Sequence, residues 1–173
     1  MRAFALIAIV CLAFGSFSES ARANEAPVRG LFIGSFDPIT NAHVQVVVAG
    51  VIQLGLQEVV IVVNSASGKD YSASFTERVA MVKAAIKAAD TQGRIKLVVM
   101  NEPPGGKREL AIQLAARSKD GILHQIAGDD VQSKARELFG DLPQVKSYIL
   151  PRLGEDGKVG AIQEGFHLLQ TTE

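Results

Sequence analysis

The residues best suited to chemistry lie together in Gly34-Ser35-Phe36-Asp37-Pro38-Ile39-Thr40-Asn41-Ala42-His43. Thr40 and His43 stand three positions apart. Across the first turn of a helix that spacing sets a hydroxyl beside an imidazole, both able to donate to phosphate oxygens. Gly34 lets the backbone approach an anion closely, Pro38 stiffens the turn, and N–H groups at a helix start offer partial positive charge. Taken one by one, these residues build only a turn followed by a surface histidine. Taken together, they suit the binding of a phosphate.

Such a loop needs a strand to deliver it and a helix to receive it. Val28 to Ile33 reads as a short buried strand, Asn41 to Leu54 as a helix, and Glu58 to Val63 as a second, β-branched strand. Ser74 and Glu77 form a capping box that opens a helix through Val79, Val82, Ala85 and Ile86, ending before Gly93. Ile95 to Met100 is the third strand, Asn101 to Lys107 a loop, and Arg108 to Arg117 a helix. Ile122 to Ala127 is the fourth strand, Val131 to Phe139 the fourth helix, and Ser147 to Leu150 a fifth strand. This alternation predicts an α/β fold: a mostly parallel open sheet with helices on both faces, because parallel strands need long crossovers that cover the sheet. The phosphate loop then falls at the end of the first strand, where open α/β sheets bind ligands.

The chain has 173 residues, 18 Lys+Arg against 18 Asp+Glu, and 47% hydrophobic residues, a balance that suits one globular domain. A formal charge of zero leaves no basic surplus for a nucleic-acid backbone, so no nucleic-acid partner is expected. Small phosphorylated ligands need only one loop. Arg2, the apolar run Ala3 to Phe14 and the exit Ala21-Arg22-Ala23 predict a secretory signal peptide over residues 1–23. The apolar run is shorter than the ~20 residues of a membrane span, so an exported protein, periplasmic or secreted, with no stable membrane association is expected. A different start site would make it cytoplasmic. Residues 24–173 form the single expected domain, with 16 basic and 17 acidic residues and no cysteine, since Cys11 lies in the signal. No disulfide framework is available to it.

The string from Gly34 to His43 resembles the signature G-x-F-[DN]-P-x-[HT]-x-x-H of the nucleotidyltransferase (cytidylyltransferase-like) superfamily, whose fold is Rossmann-like. The resemblance covers roughly Val28 to Leu169. Val63-Asn64-Ser65 through Lys69, followed by Arg78-Val79-Ala80-Met81, is similar to the stretch in which nicotinamide and nicotinate mononucleotide adenylyltransferases carry a phosphate-binding lysine. Gly128-Asp129-Asp130 resembles the family's G-x-D element, and Pro151-Arg152-x-Gly154 its P-R-x-G. The resemblance implies adenylyl transfer from ATP to nicotinate or nicotinamide mononucleotide, with release of pyrophosphate and magnesium carried on the ATP phosphates. It implies His43, Thr40 and Lys69 as catalytic residues, and Gly34, Ser35, Phe36, His43, Gly128, Asp130 and Arg152 as nucleotide-binding residues, with no metal ligand from the protein.

The resemblance also implies a late S-S-T-x-x-R phosphate signature, where this sequence reads Thr171-Thr172-Glu173. An exported nucleotide-binding relative without turnover is therefore one alternative reading; a phosphopantetheine adenylyltransferase-like enzyme is a separate one, which the G-x-D and P-R-x-G elements favour less than the mononucleotide branch. Lys69 by itself is a solvated charge in a Ser/Gly-rich loop, and Asp129 and Asp130 by themselves cap the next helix, one capping and one touching ribose being compatible. Arg78 is expected to pair with the helix neighbours of Glu77, away from substrate. His124 and His167 lack metal-ligand spacing and are expected to be structural. Pro103-Pro104-Gly105-Gly106-Lys107 lacks the Walker residues, with Asn101 and Arg108 in their places, and reads as a loop bordering the pocket.

Overall fold

The computed structural model describes residues 25–65, 69–90, 93, 96–151 and 161–171. The predicted signal peptide, residues 1–23, and Arg152 lie outside the described residues. Strands β1 (Arg29–Gly34), β2 (Glu58–Val63), β3 (Lys96–Asn101), β4 (Leu123–Gly128), β5 (Val145–Leu150) and β6 (His167–Leu168) form one sheet in the order β3-β2-β1-β4-β5-β6. Every pairing is parallel. Helices α1 (Asn41–Leu54), α2 (Phe75–Ala89), α3 (Gly106–Ala116) and α4 (Gln132–Phe139) alternate with the strands. The fold is thus the Rossmann-like α/β architecture that the pattern predicts, and its described sheet is wholly parallel.

The alternation of side chains along each strand sorts the core into two layers. Phe32, Val59, Ile61 and Ile126 pack with Val46 and Val47 of α1 and Val82 and Ile86 of α2. Leu31, Val60, Val62 and Leu123 pack with Leu110, Ala111 and Ala115 of α3 and Phe139 of α4. β2 lies between two strands and under both layers, which is why all six of its residues are buried. The valine-rich α1 has weak intrinsic propensity and holds its form through this burial. The predicted capping box opens α2: the Ser74 N–H donates to Glu77 at 2.8 Å, and the Glu77 N–H donates to Ser74 Oγ at 3.3 Å.

Tertiary pairing moves several boundaries. β1 and β3 each end one residue later than their apolar runs, because Gly34 pairs with Val63, and Val63 in turn with Asn101. β5 starts at Val145, opposite Leu123, rather than at Ser147. α3 begins at Gly106, after a turn in which the Gly106 N–H donates to the Pro103 carbonyl at 2.8 Å. The segment expected as one helix from Val131 divides into a 3-10 turn, Asp129–Val131, and α4.

At the N-terminal rim of the sheet, Arg29, Glu58 and Lys96 stand side by side in register on three neighbouring strands. Arg29 Nε lies 2.6 Å from Glu58 Oε1, and Lys96 Nζ lies 2.8 Å from Oε2. Both oxygens of a nearly buried carboxylate are thereby matched with cations. Among the described residues no helix is long and apolar enough to cross a membrane.

Candidate functional site

From β1 the chain crosses to β2 on one side, while β4 pairs with β1 on the other. The strand order therefore reverses between β1 and β4, and a crevice opens beyond their C-terminal ends. The crevice is a cavity of about 530 Å³. Gly34, Ser35, Phe36, Thr40, His43, Lys69, Gly128 and Asp130 all line it. Residues spread over three separate loops are thus brought to one place.

Thr40 occupies the cap position of α1, in extended conformation. Its backbone N–H donates to His43 Nδ1 at 3.1 Å, and its Oγ1 lies 2.8 Å from the same nitrogen. An imidazole nitrogen that accepts a hydrogen bond carries no proton, so in the neutral ring the proton resides on Nε2. Hydroxyl and imidazole do lie side by side, but bonded to each other. The Thr40 N–H is likewise engaged by His43, so it is not among the donors that a ligand meets at the helix start.

Phe36 and Gly34 form a support for that ring. Phe36 is 1% exposed, and its ring meets His43 edge-on at a centroid separation of 5.3 Å and Phe32 at 5.2 Å. Its φ of +50° is a strained value for a side chain of this size. A Cβ on Gly34 would stand 2.7 Å from Phe36 Cζ, so a glycine is required here to seat the phenyl ring. Asp37, also on the cavity wall, is bonded to the loop before α2. The Ser72 backbone N–H donates to it at 2.6 Å, and the Ser72 hydroxyl and Ala73 N–H each at 3.0 Å. The Ser72 backbone bond, with these others and the charge of Arg78, holds its carboxyl below the ordinary value.

Arg78 does not pair along its helix. It is 1% exposed, stacks over Tyr71 at 3.8 Å, and donates from Nη1 to the Ser35 carbonyl at 2.6 Å and the Asn64 carbonyl at 2.8 Å. One guanidinium thus ties the loop after β1 to the loop after β2. A signal for this is present in the sequence. Arg78, Val82 and Ile86 recur every four residues and form the buried stripe of α2.

Lys69, Lys107 and Lys134 all lie on the cavity wall, and Lys107 also pairs with Glu102 at 3.3 Å. Lys107, which closes the Pro-Gly segment and is the second residue of α3, is on the wall, so that segment does border the cavity. Asp129 and Asp130 precede α4, whose cap position is held by Val131, so neither is its capping residue. Gln125 on β4, not singled out by sequence reasoning, also lines the cavity. His124 and His167 flank the Tyr148 ring across three strands, the first tilted against it at 5.4 Å and the second stacked on it at 4.9 Å. Burial first, and the charge of Lys146 second, lower the pKa of His124.

Three comparisons bear on this geometry. Residues 31–145 match the family model described as Cytidylyltransferase-like. Phosphopantetheine adenylyltransferases of Brucella ovis and Brucella suis are each 40% identical over 58 residues, which is 34% of this chain and 34% of theirs. The match thus spans about a third of the length of these curated relatives. Among solved structures, Plasmodium falciparum nicotinic acid mononucleotide adenylyltransferase complexed with NaAD has a TM-score of 0.59 at 18% identity, covering 85% of this chain and 76% of that one. The same enzyme complexed with APC has a TM-score of 0.57 at 17% identity, with the same coverage. At such identities the structural likeness speaks for the fold alone. The family match covers well over half of the sequence and contains the segment from Gly34 to His43, the cavity-lining strands and α4, and on that ground the chain belongs to the cytidylyltransferase-like family.

Proposed function

We propose that the protein is an adenylyltransferase that joins the phosphate of a pyridine mononucleotide, nicotinate or nicotinamide mononucleotide, to the adenylyl group of ATP. An acceptor phosphate oxygen attacks the α-phosphorus, the bond to the bridging β-phosphate oxygen breaks, and pyrophosphate leaves with the electron pair. No protein nucleophile is needed. Catalysis then rests on orientation and on donors aimed at the developing charge. The observation that carries the reading is the Thr40–His43 pair on the cavity wall, in which Nδ1 accepts and Nε2 therefore bears the donor proton.

In this reading His43 holds the triphosphate as negative charge moves to the leaving group. Lys69 adds a cation, and Gly34 and Ser35 present backbone to it. Gly128, Asp130 and Arg152 complete the nucleotide site. Among the described residues no three His, Cys, Asp or Glu side chains gather into a metal cage. Magnesium fits this cavity as an ion carried on phosphates and water, with Asp130 a wall carboxylate that would accept from a coordinated water. When bound, it supplies neutralisation of triphosphate charge. The short matches to phosphopantetheine adenylyltransferases favour a second reading, in which phosphopantetheine is the acceptor and the same groups hold ATP.

The test is pyrophosphate release by the full chain given ATP, magnesium and each acceptor in turn, with His43→Ala alongside. Release that depends on His43 supports the transferase. Saturable nucleotide binding without release would replace it with a nucleotide-binding protein that performs no transfer.

A further inference from the structure

Asp37 is a carboxylate on the wall of a cavity that, in the reading above, receives anions. A negative charge repels phosphates, so its place there calls for a compensating role that the transfer chemistry does not supply. Both of its oxygens are already engaged. Oδ2 accepts the Ser72 backbone N–H at 2.6 Å, and Oδ1 accepts the Ser72 hydroxyl and the Ala73 N–H at 3.0 Å each. Hydrogen bonds to a charged acceptor are the stronger kind, and three of them make this side chain an anchor rather than a reacting group.

What it anchors is the loop between β2 and α2, and Lys69 lies on that loop three residues before Ser72. The start of the loop is tied to the same segment of chain. The Asn64 N–H donates to the Gly34 carbonyl at 2.9 Å, and Arg78 Nη1 donates to the Ser35 and Asn64 carbonyls at 2.6 and 2.8 Å. Lys69 is thus carried by a loop attached near both ends to the stretch Gly34 to Asp37. The lysine itself is exposed, and among the described residues no carboxylate forms an ion pair with it. Its position is therefore that of its loop, and a loop fixed beforehand loses less conformational freedom when a ligand binds. We infer that Asp37 is a positioning residue: it latches the loop after β2 to the cavity wall and so holds Lys69 where a triphosphate meets it.

This inference rests on the assignment of Lys69 to the triphosphate and deepens it. Binding of ATP with magnesium to the full chain is measured by calorimetry for the unaltered protein, Lys69→Ala, Asp37→Ala and the double variant, with hydrogen exchange at the Ser72 and Ala73 amides in parallel. Asp37→Ala is expected to weaken binding by about 2- to 5-fold, as Lys69→Ala does, and the double variant to bind no more weakly than either single one. The two amides exchange faster in Asp37→Ala. A carboxylate acting through its charge alone would give the opposite sign, because its removal strengthens the binding of an anion. Stronger or unchanged ATP binding in Asp37→Ala, or losses that multiply in the double variant, overturn the inference while leaving adenylyl transfer standing. Asp37→Asn keeps the shape and one accepting oxygen, so it loses affinity in the same direction but less, and a gain there overturns the inference whatever the fold of Asp37→Ala. Coupled losses of ATP binding without pyrophosphate release support the latch and overturn the transfer alone. Failure of the unaltered protein to bind ATP overturns both.

Discussion

The two ends of the sheet are built from the same strands and treat charge in opposite ways. At the N-terminal rim, Arg29 and Lys96 occupy both oxygens of Glu58, and the register of β1, β2 and β3 sets all three in one row. The electrostatics there are closed among protein groups. At the C-terminal rim, Lys69, Lys107, Lys134, His43 and Gln125 surround a cavity of about 530 Å³. One rim therefore holds strands together, and the other lines an open cavity with polar groups. Arg78 belongs to both kinds: it is buried like a core residue, yet it bonds the loops that shape the cavity.

If this contrast is correct, substitutions at the two rims separate activity from stability. The largest effect is expected for His43→Ala, which lowers turnover by about 10²–10³-fold while costing stability less than about 1 kcal/mol. Steady-state pyrophosphate release and urea unfolding measure the two parts, and a large stability loss with normal turnover would place His43 in the core. Arg78→Met is next, at about 2–4 kcal/mol of stability, because two buried carbonyls lose a charged donor. It should also weaken nucleotide binding through the displaced loops, and a stable variant with normal binding would show that the loops hold without it.

Glu58→Gln costs about 1–3 kcal/mol and leaves turnover unchanged. Burial alone would raise the pKa of Glu58, but hydrogen bonds from Lys96 and Arg29 outweigh it and hold the value below the ordinary 4.5. With a depressed folded-state pKa, the charged group's contribution is complete above the ordinary value and lost as pH falls through the folded one. The stability gap between the unaltered protein and the Glu58→Gln variant should accordingly narrow in acid below about pH 4.5. A gap that widened there would reverse the assignment. The smallest effect is expected at the exposed Lys69, where Lys69→Ala raises KM for ATP by about 2- to 5-fold, and less in high salt. No change in KM would remove Lys69 from the site.

Short-range features of the sheet are legible in the residues. The run Val59 to Val63 announces a strand covered on both faces, and Ser74 with Glu77 marks the start of α2. The string from Gly34 to His43 locates the loop at the crevice. Arg78 invites a wrong reading because a charged residue on a helix is usually solvated, although its spacing with Val82 and Ile86 puts it on the buried face. Gln125 carries no signal of its own, since a single amide in an apolar strand acquires meaning only from what packs over it.

What the sequence determined by itself was therefore periodicity and local bonding: strands, helices, the capping box, and the Thr40–His43 spacing within one helical turn. These depend on neighbours a few residues apart, whose relative positions the backbone geometry largely dictates. Only the tertiary structure decided that Lys69, Lys107, Asp130 and Gln125 share one cavity with His43. It likewise decided that Arg78 bridges two loops and that the oxygen of Gln125 remains without a partner. Those outcomes follow from strand order and from which helix covers which face, and the contacts that set them join residues far apart in the chain.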